Sequence, residues 1–128
     1  MTYVNDLIGL EYGWGHRPRD GSGKTDCFQL VCEVRRRMGL GDYEPMFEWV
    51  YSKYNQDTLS SRQIARWLFQ NGKRLPSPVE GATVLLPGTS TAALGTMIDS
   101  TSFLFIGSAL NVVRAPFGNV GHLFGMNK

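Results

Sequence analysis

Charge along this chain changes once, and that change constrains the fold more than any single residue. Between Ser77 and Val113 the only charged residues are Glu80 and Asp99. This stretch and the tail behind it carry short apolar runs: Thr83 to Leu86, Leu94 to Ile98, Phe103 to Ile106, Asn111 to Arg114 and Leu123 to Met126. Glycine, proline, serine or threonine separates them, which is the pattern of strands and turns. Before Pro78 the period is helical. Cys27, Leu30, Val31, Val34 and Met38 predict one buried helix face between Asp26 and about Met38, closed by Gly39. Glu44-Pro45 opens a second helix with Phe47, Val50, Tyr51 and Tyr54 on its inner side. Ser60 and Gln63 form a capping box for a third, with Ile64, Trp67 and Leu68 inside and Asn71-Gly72 at its end. A short first helix is expected over residues 3–10 and a glycine-rich loop from Gly13 to Lys24. Helices first and strands second predict an α+β fold, with N-terminal helices packed on a C-terminal antiparallel sheet. A chain of 128 residues makes this one domain, 1–128.

Several function classes fall away. A net charge of +2 is too small for a nucleic-acid partner. Arg35-Arg36-Arg37 would point three ways on a helix and reads as solvated surface. Met1 to Asp6 has neither a basic region nor an apolar run, so no signal peptide is expected and synthesis is cytoplasmic. The run Phe103 to Ile106 is far too short for a membrane span. Cys27 and Cys32 on one helix would point roughly 140° apart, which excludes an unstrained disulfide. No cluster of histidine or further cysteine accompanies them, so no metal is expected. The loop Gly21-Ser22-Gly23-Lys24-Thr25 has Pro18 where a phosphate-binding loop needs its first glycine, and charged residues where it needs a strand. No cofactor is expected.

Cys27 is the first candidate for chemistry. A thiol in the first turn of a helix feels the positive end of the helix dipole, which favours the thiolate. The same position also suits a small buried apolar residue on a core face. A peptidase would need a base as well. The two histidines, His16 and His122, each stand alone in sequence. Either can approach Cys27 only through the fold. Trp14, Trp49 and Trp67 are scattered and read as core or interface residues.

The order Asp6-Leu7-Ile8-Gly9, Tyr12-Gly13-Trp14-Gly15, Asp26-Cys27-Phe28-Gln29-Leu30-Val31 and Gly39-Leu40 resembles the NlpC-type cysteine peptidases, papain-like enzymes that cut bacterial cell-wall peptides. Phe28 directly after the cysteine is similar to the branch found in phage tail proteins. Pro78 to Leu86 resembles the family's first strand, with Ala82 in place of an aspartate, and Val112 to Pro116 with Leu123 to Met126 resembles its closing strands. The resemblance implies a papain-like fold, with Cys27 as nucleophile, Tyr12 flanking it near the oxyanion, and Asp26 holding a substrate amine. It also implies a histidine where Ala93 stands. The polar residue that orients that histidine would fall on Phe105, or near Gly107 with a small shift. Apolar contacts from Ala93 and Phe105 would then close the site. Loss of the base costs on the order of a million-fold where a triad acts as a unit.

Three functions are compatible with that pattern. The first is a catalytically degenerate domain that serves as a structural part of a phage tail or tail tip, bound to other virion proteins. The second is an active peptidase that cuts peptidoglycan stem peptides with His122 or His16 as base. The third is a module that binds such peptides without cutting them, using Tyr12 and Asp26.

Overall fold

The computed structural model describes residues 4–41, 43–86, 94–118 and 121–126. Its helices start where the sequence supplies a cap. Asp26 is the N-cap of α1 (Cys27–Arg37), and its carboxylate accepts from the Gln29 amide. Ser60 caps α3 (Ser61–Asn71) in a reciprocal box with Gln63, which satisfies two amides that the first turn leaves open. The middle helix is shorter than its periodicity implies. Pro45 lies in a 3-10 turn, Glu44–Phe47, and only Glu48–Lys53 is α-helical, as α2. The helix expected over residues 3–10 reduces to one 3-10 turn, Asn5–Leu7. Gly9 takes φ +96°, a left-handed value that ends a helical path.

Two short strands, β1 (Glu11–Tyr12) and β2 (Lys24–Thr25), pair in parallel and tie off the loop between them. Nothing in the apolar pattern signalled them. The six-stranded sheet contains β3 (Gly72–Arg74), β4 (Thr83–Leu85), β5 (Leu94–Met97), β6 (Ser102–Ile106), β7 (Val112–Pro116) and β8 (His122–Met126). Their order is β3-β8-β4-β5-β6-β7, with every neighbouring pair antiparallel. The α+β arrangement matches the expectation, and β3 is the addition. Asn71-Gly72 ends α3 as expected, but the chain passes straight into a strand. A Cβ on Gly72 would lie 2.5 Å from the Gly125 carbonyl oxygen, so this close approach requires glycine.

Alternation divides the sheet into two faces. Leu85, Leu94, Leu104, Ile106 and Phe124 join the helical core. Val84, Met97, Phe103 and Leu123 form a second apolar cluster on the reverse face. Helix α1 lies over β5 and β6, and α3 lies beside β3 and β8.

The three arginines are not a solvated surface. Arg35 is buried, stacks 3.9 Å from the Tyr43 ring centroid, and donates to the Gly41 and Gly81 carbonyls. Arg36 and Arg37 converge with Arg19 on buried Glu33, at 3.3, 2.8 and 2.7 Å. Arg37 also holds Asp6 through two bonds of 2.6 and 2.9 Å. Adjacent helical residues do diverge, but here the loop, the N-terminal turn and α1 all supply partners.

Burial alone would raise the Glu33 carboxyl; the hydrogen bonds and charges of Arg19 and Arg37 outweigh it, and the net shift is downward. A lowered carboxyl stabilises the fold above its unfolded pKa, and that contribution is lost as pH falls through the folded value. Glu33→Gln is expected to cost about 2 kcal/mol at neutral pH. The gap to the parent protein should shrink on acidification below the ordinary carboxylate range. Urea unfolding at neutral and acid pH measures both, and a pH-independent gap would contradict this account.

Candidate functional site

Cys27 occupies the first position of α1, as the sequence pattern implies, and is 0% exposed. Its position follows from three local constraints. The β1–β2 pair sets Tyr12 opposite Thr25, one residue before the cap. The Asp26 amide donates to the His16 carbonyl, which fixes the chain as it leaves the loop. The Asp26 side chain then starts the helix. Cys32 is also fully buried on the same helix.

The carboxylate of Asp26 is surrounded by donors. Oδ1 accepts from the Gln29 amide at 2.9 Å. Oδ2 accepts from the Gly15 amide at 2.8 Å and from the Tyr51 hydroxyl at 2.6 Å. One side chain therefore joins the loop, α1 and α2. Burial dominates its acidity and raises the carboxyl, although the hydrogen bonds from Tyr51 and from the Gln29, Gly15 and Phe28 amides act the other way. Tyr51 is shifted well above the usual phenol range by burial, by the charge of Asp26 and by their hydrogen bond. It is a fixed donor at any ordinary pH. Gln29 donates from Nε2 to the Tyr51 oxygen at 3.4 Å.

Tyr12 lies on the other side of this group. Burial, followed by the charges of Cys27, Asp26 and Asp57, pushes it up to about 12. Its hydroxyl donates to Gln56 Oε1 at 3.1 Å. The fold thus brings Tyr12, Asp26 and Cys27 into one neighbourhood and adds Tyr51.

The two histidines have other neighbours. The His16 imidazole is 45% exposed and sits 3.0 Å from Asp20 in the loop. His122 is exposed at the start of β8, in register with Leu85, while α1 lies over β5 and β6. Ala93 lies outside the described residues. Phe105 does not close the site. Its neighbours Leu104 and Ile106 face the helical core, while its own ring stacks on Phe103 at 4.4 Å over the reverse face. The two-residue period of the strand turns it away from Cys27. Gly107 follows β6, and its amide donates to the Asn111 carbonyl.

Among the described residues no group of three or more histidine, cysteine, aspartate or glutamate side chains is placed to hold a metal ion. No described helix is long and apolar enough to cross a membrane. The chemistry present is a covered thiol, two protonated phenols and a saturated carboxylate. A substrate carbonyl needs an open path to sulfur, and Cys27 presents no surface.

Sequence reasoning placed Tyr51 on a core face but missed its role beside Asp26. The signal was available, because a buried tyrosine in place of phenylalanine implies a partner for its hydroxyl. In sequence Phe28 is only a feature of the resemblance. In the fold its ring meets Trp14 at 6.3 Å, Phe47 at 5.1 Å and Tyr51 at 6.4 Å.

No family model, no curated protein and no solved structure matches the chain.

Asp26→Asn keeps an acceptor for the Gln29 amide but turns an NH2 group toward two donors, Gly15 and Tyr51. It is expected to destabilise the protein by about 2 kcal/mol, the usual cost of leaving a buried donor unpaired. Tyr51→Phe in that background should recover part of the loss, giving a coupling above about 0.5 kcal/mol in a double-mutant cycle. Additive effects in urea unfolding would mean that the 2.6 Å contact carries little energy.

Proposed function

We propose that the chain is a catalytically degenerate NlpC-type, papain-like domain that serves as a structural part of a phage tail or tail tip. The observation that carries the non-catalytic half of this reading is the complete burial of Cys27. The tail assignment rests on the resemblance around Asp26-Cys27-Phe28.

The surroundings of Cys27 support a packing role. The Cys27 thiol has no exposed surface, whereas reactive cysteines sit in partially exposed surroundings. Both neighbouring phenols already donate, Tyr12 to Gln56 and Tyr51 to Asp26, so neither awaits an oxyanion. Asp26 would hold a substrate amine in a peptidase, but here its carboxylate serves three internal donors. The only imidazoles in the chain are His16, turned to Asp20, and His122, exposed on β8. On this reading the elements of a catalytic start-of-helix site act as a joint between loop, helix and helix.

Thiol labelling tests the reading directly. In a Cys32→Ala background the native protein is expected to react slowly at Cys27, at a rate set by opening of the fold, and to react fast once unfolded in urea. Muropeptides should survive incubation with the unmutated protein. Fast native labelling, together with stem-peptide cleavage that disappears in Cys27→Ala, would replace this proposal with the peptidase reading.

A further inference from the structure

The indole of Trp49 carries a donor that the fold leaves unsatisfied. Its Nε1 is buried and has no hydrogen-bond acceptor among the described residues. The ring stands edge-on to Tyr54, with centroids 5.7 Å apart. Trp49, Tyr54 and Trp67, with Gln63, Arg66 and Gln70, line a cavity of about 240 Å³ between α2 and α3.

The polar groups of this cavity are biased toward donors. Gln63 Oε1 is occupied by the Ser60 amide and hydroxyl, at 2.7 and 3.1 Å, so the amide offers its NH2 end. Arg66 is exposed and makes no ion pair among the described residues. No carboxylate lines the cavity. The α3 side has the same bias, while the α2 side carries Glu48, Lys53 and Asp57. Residues 58–79 contain Arg62, Arg66, Lys73 and Arg74 and no aspartate or glutamate. Arg62 and Arg66 are four apart on α3, a like-charged spacing that disfavours a helix unless an anion offsets it.

We propose that this cavity binds a carboxylate side chain presented by an acidic segment of a partner protein. The Arg66 guanidinium takes the carboxylate at the mouth, and the Trp49 Nε1–H, which has no surface in the unbound chain, joins once the indole turns toward it. The aromatic walls take the methylene stem, and Arg62 meets a neighbouring acid. The size fits this occupant, because whole small-molecule ligands use about 300–1,000 Å³, whereas a single anchoring side chain needs less. Buried aromatic and arginine anchors of this kind carry much of the energy in protein interfaces. A neutral sugar suits the cavity less well, because its hydroxyls need acceptors as well as donors. Nucleic acid is disfavoured by the small net charge of +2 and by rings packed edge to face rather than laid open for stacking. The site is separate from Cys27, so this proposal and the non-catalytic reading can fail independently.

The test is a titration of the nitrogen-labelled full chain with octaglutamate at low salt, following the indole N–H signals of its three tryptophans. Trp→Phe variants assign the signals. The Trp49 signal is expected to move saturably, while N-acetylglutamine amide leaves it in place. Arg66→Gln, an exposed change that spares the core, should weaken binding about tenfold. Three outcomes would each overturn the proposal: a Trp49 signal that stays still while basic residues shift diffusely, unchanged affinity in Arg66→Gln, or a stronger Trp49 response to a thymidine oligonucleotide than to octaglutamate.

Discussion

The carboxylate of Asp26 is the point on which the helical half of this protein depends. It starts α1, holds Gly15 of the preceding loop and receives the hydroxyl of Tyr51 from α2. Three segments far apart in sequence thereby share one acceptor. A buried anion with so many donors is costly to replace, since each donor left unpaired costs about 1–3 kcal/mol. Burial raises its carboxyl against the pull of these hydrogen bonds.

Around that anchor the chain places aromatic rings instead of an open cleft. Phe28 touches Trp14, Phe47 and Tyr51, and Phe47 in turn meets Tyr43 and Trp67. All but the tilted Phe47–Trp67 pair are edge-to-face, and such contacts add about 0.5–1.5 kcal/mol each beyond area burial. They connect the loop, α1, the turn before α2, and α3. A cluster with so many mutual contacts resists the local opening that a substrate would need to reach Cys27. Stability of the helical half and closure of the site share one physical cause.

The legible part of this fold was the part written in local rules. Asp26 and Ser60 announced their helices because caps act within one turn. The strands from β4 to β8 were visible because their apolar runs are short and bounded by turn residues. What stayed hidden depended on partners distant in sequence. Gly72 opens β3 because the Gly125 carbonyl passes close by, and no local rule reports that approach. Arg35 is buried because Tyr43 and two carbonyls receive it. A position counted along a motif carries no information on strand phase, so the expected closure by Phe105 fails, whereas Leu104 and Ile106 fix that phase once pairing is known. At the candidate site, Cys27 and Asp26 were readable, but Tyr51 was not, since its hydroxyl meets Asp26 across 25 residues.

The aromatic cluster also limits how the site can be understood. If Cys27 were an exposed nucleophile, Phe28 beside it would be expected to border a cleft. Its side chain instead lies in the core with 1% exposure, and the helix cannot rotate to expose Cys27 without withdrawing that ring from three others. Removing a buried phenylalanine costs about 3–5 kcal/mol, a large share of the stability of a domain of this size. Opening the thiol by small side-chain movement alone is therefore the narrow route left to catalysis. The helix would remain fixed by Asp26, and Tyr12 would have to leave Gln56. Closure at Cys27 is built into the core, whereas Arg66 beside the cavity between α2 and α3 is exposed and makes no ion pair among the described residues.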